Sequence, residues 1–140
     1  MLSISHELLE KGIELAIDFG GQEEILIPVV VQDARTKIVL LIAHTNREAF
    51  EKTQKTKQLY LFSRSRDEIW LKGEISGCTF TVKKILINCR QDSLVYMVWQ
   101  DNGAQSGACH VKQKKGKFYP TCFYREVDMN EKNLLLEEKL

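Results

Sequence analysis

Four cysteines, one Cys-His dipeptide and an alternation of serine with arginine carry most of the chemical potential of this chain. The cysteines are Cys78, Cys89, Cys109 and Cys122. Their even count permits two disulfides. The opening Met1-Leu2-Ser3-Ile4-Ser5-His6-Glu7 has no basic stretch followed by an apolar core, so the expected compartment is the cytoplasm, where disulfides do not persist. Structural thiols, metal ligands or a reactive thiol are then the open readings. No pair has the Cys-x-x-Cys spacing of a zinc knuckle. Neighbouring residues on a strand point to opposite faces, so Cys109 and His110 cannot share one ion unless the backbone turns between them. His110 fits better as a proton-transfer group or as support for a ligand. The competing reading is two buried, inert thiols and a satisfied histidine.

Ser63-Arg64-Ser65-Arg66 suits phosphate, because guanidinium holds oxyanions in a bidentate fork and hydroxyls add donors. The bland reading is a solvated strand end. Trp70-Leu71-Lys72-Gly73-Glu74-Ile75-Ser76-Gly77 sets two glycines beside a lysine and a serine. Such a loop can turn backbone amides toward an anion, with Trp70 able to stack on a base. A turn beside one core tryptophan would look the same.

The elements that must position these groups follow from periodicity. Leu8, Leu9, Ile13, Ala16 and Ile17 share one helical face, which predicts a helix over Ser5 to Phe19 with Ser5 as N-cap and Gly20-Gly21 as stop. Gly12 weakens it by about 1 kcal/mol relative to alanine. Ile25 to Gln32 reads as a strand, with Pro28 suggesting an edge or a bend. A turn over 33–36 and a returning strand over 37–43 follow. Asn46 caps a short helix from Arg47 to about Lys55. Further strands are expected at 58–63, 79–88, 93–100 and 118–125. Large apolar groups on both faces of 93–100 point to a strand buried on both sides. The basic turn Lys112 to Lys117 and a short tail helix over 130–140 complete the reading. The expected fold is α+β: mostly antiparallel β with two or three peripheral helices in a single domain, residues 1–140.

Composition excludes several classes. Lys plus Arg is 20 and Asp plus Glu is 19, so the formal charge is +1, without the basic excess of a nucleic-acid surface. With 44% hydrophobic and 28% charged residues the chain is globular rather than disordered. The apolar run Ile38 to Ala43 is far short of the roughly 20 residues that span a bilayer, so no membrane partner is expected.

Taken together, the clusters resemble the phosphoribosyl-AMP cyclohydrolase family of histidine biosynthesis, over about residues 26–126. The matching stretches are Ile27-Pro28, Val31-Gln32-Asp33-Ala34, Asn46-Arg47-Glu48-Ala49, Phe62 to Arg66, Trp70 to Gly77, Ala108-Cys109-His110 and Cys122-Phe123-Tyr124-Arg125. The resemblance implies hydrolysis of the N1–C6 bond of an adenine nucleotide bearing a second phosphoribosyl group on N1. It implies an intertwined homodimer with its active sites at the subunit interface. It also implies zinc held by Cys89, Cys109 and Cys122, with Cys78 as a non-ligand. Three thiolates leave one coordination position open, the mark of a catalytic zinc, which lowers the pKa of bound water. His110 is then expected to move a proton. Arg64, Ser65, Arg66, Lys72, Gly73, Ser76, Gly77, Arg90 and Arg125 are expected to hold the substrate, with Trp70 packing or stacking.

The chain departs from the family at its first zinc cysteine. Relatives have Asp-Cys-Asp-x-Asp there, with magnesium on the three aspartates. This chain has Asn88-Cys89-Arg90-Gln91-Asp92, so only Asp92 remains of a degenerate magnesium site. Arg90 is the expected replacement charge. Ile75 stands where threonine is usual, His44 and Thr45 replace an aromatic residue and methionine, and an insert near Lys112–Tyr119 lengthens the step to Cys122. Beyond the match only Val127–Leu140 remains, too short for a second activity. A paralogue acting on another purine nucleotide, or a non-catalytic zinc-stabilised binding protein, are the alternatives.

Overall fold

Alternating apolar residues build a central sheet. The computed structural model describes residues 4–101 and 107–136. In chain order the elements are α1 (His6–Lys11), β1 (Ile27–Asp33), β2 (Val39–Thr45), α2 (Arg47–Thr56), β3 (Tyr60–Ser63), β4 (Glu68–Leu71), β5 (Phe80–Ile87), β6 (Leu94–Gln100), β7 (Arg125–Val127) and β8 (Leu134–Leu136). Six strands form one sheet in the order β4-β3-β2-β1-β6-β5, and β7 pairs with β8 separately. The β1–β6 pair is parallel; the other pairs are antiparallel. The sheet curls back on itself. A bridge joins Gln58 to Thr81, and the Val82 N–H donates to Lys57 O at 2.7 Å.

The core lies inside this curl. Val29, Val31, Leu59, Leu61, Tyr96 and Val98 are completely buried. Asn46 caps α2 by accepting from the Ala49 N–H at 2.9 Å, and the helix lays Ala49, Phe50 and Thr53 onto the sheet. Phe19 meets Phe50 with ring centroids 5.7 Å apart, which anchors the chain before β1.

Several elements differ from the sequence expectation. The helix predicted over 5–19 ends at Lys11. Gly12 is extended, and a Cβ there would lie 2.6 Å from Leu8 O. Ile13 is fully exposed and Leu8 is mostly so, and of the expected stripe only Ile17 packs against the core, too little to hold a continuous helix. β1 is central rather than an edge. Pro28 sits at its second position, opposite His44 of β2, and pairing to β6 begins only at Val29, so the proline lies at the start of the strand rather than in its fully paired middle. β6 is mostly buried as expected, but Trp99 is 39% exposed, with Arg35 and Lys83 over its ring at 4.3 and 4.4 Å. Residues 118–124 form no strand. The tail around Leu134–Leu136 pairs as β8 with β7 instead of forming a helix, and residues 137–140 lie outside the described range. β4, on the outer edge of the sheet, has no counterpart in the expected elements. Among the described residues no helix is long and apolar enough to cross a membrane.

Candidate functional site

Two of the three expected zinc cysteines meet. The segment 107–122 is a folded-back loop in which the Cys109 N–H donates to Tyr119 O at 3.2 Å and the Tyr119 N–H to Val111 O at 3.0 Å. Its far arm is pinned to β2: the Thr121 hydroxyl donates to Val39 O at 2.7 Å and the Cys122 N–H to Leu40 O at 2.8 Å. Tyr119 stacks on Tyr124 at 3.7 Å. The buried Cys109 and the surface-reaching Cys122 thereby come into hydrogen-bonding contact. Partial burial, reinforced by the Cys109 thiol, pushes the Cys122 thiol up to about 11, against the pull of the Lys72 ammonium. Lys72 is itself held below its ordinary value by burial, while Cys122, Cys109 and Cys78 favour its charged form. The lysine therefore stands among three sulfurs. Two adjacent thiols beside a cation form a donor set that suits a soft divalent metal.

Cys89 lies elsewhere. It follows β5 while Cys78 precedes it, and the eight residues of that strand rise about 25 Å. Among the described residues of one chain, no three His, Cys, Asp or Glu side chains gather as a metal-holding group. The turn carrying Cys89 is closed locally. The Asn88 carbonyl oxygen of the side chain accepts from the Asp92 and Ser93 N–H groups at 2.8 and 3.0 Å, and its amide donates to the Asp92 carboxylate. The Arg90 Nε–H donates to Glu10 at 2.7 Å, and a guanidinium nitrogen lies 3.3 Å from His6 Nε2. One carboxylate already bonded to an amide, with an arginine two residues away, does not fit a magnesium cage.

The phosphate-type motifs sit on β3, β4 and the turns that follow them. Ser63 accepts from the Arg66 backbone N–H at 3.3 Å and from its Nε–H at 3.4 Å, and its hydroxyl is 3.4 Å from that of Ser65. Trp70 packs partly buried against the core. Arg66 and Lys72 each place their charge 5.7 Å from its ring. The loop 73–77 closes through the Gly77 N–H donating to Gly73 O at 2.8 Å, and Ser76 accepts from the Cys78 N–H at 3.2 Å. Gly73 is left-handed, with φ of +85°, and a Cβ there would lie 2.1 Å from Cys78 O. Only glycine permits that approach. Arg64 lies close enough to His44 to lower its pKa, after the larger effect of burial. Arg125 opens β7 with its guanidinium 5.2 Å from the Tyr124 ring. His110 is exposed beside Cys109. The insert is a tight hairpin turn, with Lys112 bridged to Phe118 and Gly116 at φ +90°.

Two relationships escaped the sequence: the placement of Lys72 among the thiols, and the bonds that run from the Cys89 turn to the N-terminal segment. Neither has a local signal, since each joins residues far apart in the chain.

Comparison with known proteins agrees with these motifs. The family model of phosphoribosyl-AMP cyclohydrolase matches residues 41–124. A phosphoribosyl-AMP cyclohydrolase of Nitrosopumilus maritimus is 42% identical over 114 residues, covering 79% of this chain and 93% of that protein. One of Methanosarcina mazei is 45% identical over 114 residues, covering 80% and 87%. The histidine biosynthesis bifunctional protein of Thermus thermophilus is 46% identical over 112 residues, covering 80% of this chain but 48% of that protein. The relatives are named as cyclohydrolases, hydrolases acting on a cyclic amidine, and the family match assigns this chain to the same class of enzyme. The chain belongs to the phosphoribosyl-AMP cyclohydrolase family.

Proposed function

We propose that this protein opens the purine ring of phosphoribosyl-AMP at the N1–C6 bond, with zinc held by Cys109 and Cys122 of one protomer and Cys89 of a second copy. The observation that carries this reading is the Cys109–Cys122 contact beside Lys72. Cys89 lies too far along β5 to join that pair within one chain, so a homodimer supplies the third thiolate. When bound, zinc supplies a Lewis acid that makes water nucleophilic near neutral pH.

The chain's own residues do the rest. Zinc and three thiolates sum to one negative charge, which the Lys72 ammonium offsets. His110, exposed next to Cys109, moves a proton to or from the ring nitrogen as the bond breaks. Arg64, Ser65, Arg66 and the loop from Gly73 through Ser76 to Gly77 bind the substrate's phosphates, with Arg125 and Arg90 as further cationic contacts. Trp70 is a packed platform for Arg66 and Lys72. The altered Asn88 and Arg90 favour a second reading in which the same chemistry acts on another purine nucleotide.

The test is turnover of phosphoribosyl-AMP, followed by ultraviolet absorbance, on zinc-loaded and chelator-treated protein with and without magnesium. Activity that needs zinc and ignores magnesium is expected. Mixing inactive Cys89→Ala with inactive Cys109→Ala protein should restore part of the activity through mixed dimers. Absence of any restoration would place all three ligands in one chain or dismiss the shared site. No turnover by zinc-loaded dimer would favour the second reading and direct the search to other purine nucleotides.

A further inference from the structure

We infer that Gln91 is a positioning residue for the Cys89 thiol, tying the N-terminal segment over the turn that carries it. The inference rests on the reading of Cys89 as a metal ligand. Gln91 is 7% exposed, although it lies in a surface turn. Its side chain spends every hydrogen-bonding atom on one partner segment. Oε1 accepts from the Ala16 N–H at 2.7 Å, and Nε2 donates to Leu9 O at 3.2 Å and Glu14 O at 3.1 Å.

That segment has no regular structure after Lys11, so its backbone groups have no ladder or helix to join. Gln91 satisfies two of them, the Ala16 N–H and Glu14 O, and also Leu9 O in the last turn of α1. A primary amide is the side chain that offers an acceptor and two donors together; glutamate keeps the acceptor only, and alanine offers nothing. The Gln91 backbone is itself left-handed at φ +55°, a conformation that persists in a non-glycine residue when its surroundings hold it. The Arg90–Glu10 pair adds a second, more exposed link between the same two pieces of chain. Between them lies a cleft of about 280 Å³, lined by Leu9, Ile13, Asn88 and Cys89 among others. The thiol thus sits on the wall of a cleft whose opposite wall is fixed by its neighbour two residues on. A ligand on a short turn keeps its position only if the turn is ordered, and groups that orient ligands are worth about 10–100-fold in metal affinity.

The experiment uses full-length wild type, Gln91→Ala, Gln91→Glu and Ala16→Pro. The last removes the N–H donor from the strap without altering the turn. Cobalt(II) replaces zinc, and its sulfur-to-metal absorption reports thiolate ligation without reference to catalysis. Amide hydrogen exchange across 88–93 is measured on metal-free protein. Gln91→Ala should weaken cobalt binding about tenfold or more and diminish the thiolate absorption. It should also speed exchange at 88–93 while β1 and β6 exchange as in wild type. Gln91→Glu should fall between, and Ala16→Pro should act in the same direction. Combined with Gln91→Ala, Ala16→Pro should add nothing further. Should Gln91→Ala fail to fold, the other two variants carry the comparison. Wild-type cobalt affinity and unchanged exchange in the variants would overturn the inference. A wild type with no thiolate absorption would instead overturn the zinc reading. Exchange at 88–93 would then decide the strap alone: acceleration in the variants supports it, and no change overturns it.

Discussion

The Arg90 Nε–H donates to Glu10 Oε1 at 2.7 Å, joining residues eighty positions apart. Arg90 follows Cys89 in the same turn and is proposed above as a cationic contact for the substrate, but it already has a partner. Any phosphate that approaches Arg90 must compete with the Glu10 carboxylate. Glu10→Ala is accordingly expected to lower KM about twofold to threefold, and Arg90→Ala to raise it by a similar factor, the scale of an exposed ion pair. Steady-state kinetics on both variants checks this. Equal KM values in wild type and both variants would remove Arg90 from the substrate site.

The glycines of the 73–77 loop should respond unequally to substitution. Both are left-handed, at φ +85° for Gly73 and +80° for Gly77. A Cβ at Gly73 would meet Cys78 O at 2.1 Å, whereas one at Gly77 would find nothing within 4 Å. Gly77→Ala should cost the conformational strain alone, about 1 kcal/mol. Gly73→Ala should cost on the order of 3 kcal/mol, because backbone must also move. Denaturant unfolding separates them. Equal costs would mean that the Cys78 carbonyl yields easily.

Strands were the most legible part of the fold, because β1, β2, β5 and β6 alternate or run apolar over seven or eight residues. The N-terminal helix and the tail were misread for a shared reason. An apolar stripe says which face would be buried, but not whether anything is there to bury it. Ile13 has no such surface, and its segment is held by Gln91 instead. Leu134–Leu136 offers three consecutive leucines, which carry no period, and pairing with β7 decides their state. At the site, Cys109 and Cys122 were legible as motif residues. Lys72 was legible as a cation but not as a neighbour of Cys109 and Cys122, which are far from it in the chain and are brought near by the loop pinned to β2.

The Cys122 thiol gives metal-free protein a pH-dependent stability. Its pKa rises from an ordinary 9.0 to about 11 on folding. The folded state thus holds the proton more tightly than the unfolded chain. The associated stabilisation is complete below pH 9 and is lost as pH climbs toward 11. Tyr96, whose hydroxyl burial pushes far above its usual 10.0, acts with the same sign from a higher starting point. Chelator-treated wild type should therefore lose stability across pH 9–11, and Cys122→Ser should flatten the earlier part of that decline. Thermal melts at stepped pH test this. A slope that survives Cys122→Ser unchanged would assign it to other groups.

His44 reports on Arg64. Burial is the larger cause of its lowered pKa, and the neighbouring guanidinium is the second. Both disfavour the imidazolium, so His44 is neutral at pH 7 and resists protonation below its ordinary 6.5. Arg64→Ala removes only the second cause. The His44 ring titration, followed by NMR, should shift upward in that variant yet stay below 6.5, since the burial remains. A bound phosphate at Arg64 should also move the midpoint upward, by offsetting the guanidinium charge. Inorganic phosphate or substrate that leaves the wild-type midpoint where it was, while occupying the protein, would place the phosphate away from Arg64 and send the search for its contacts to Arg66 and the 73–77 loop.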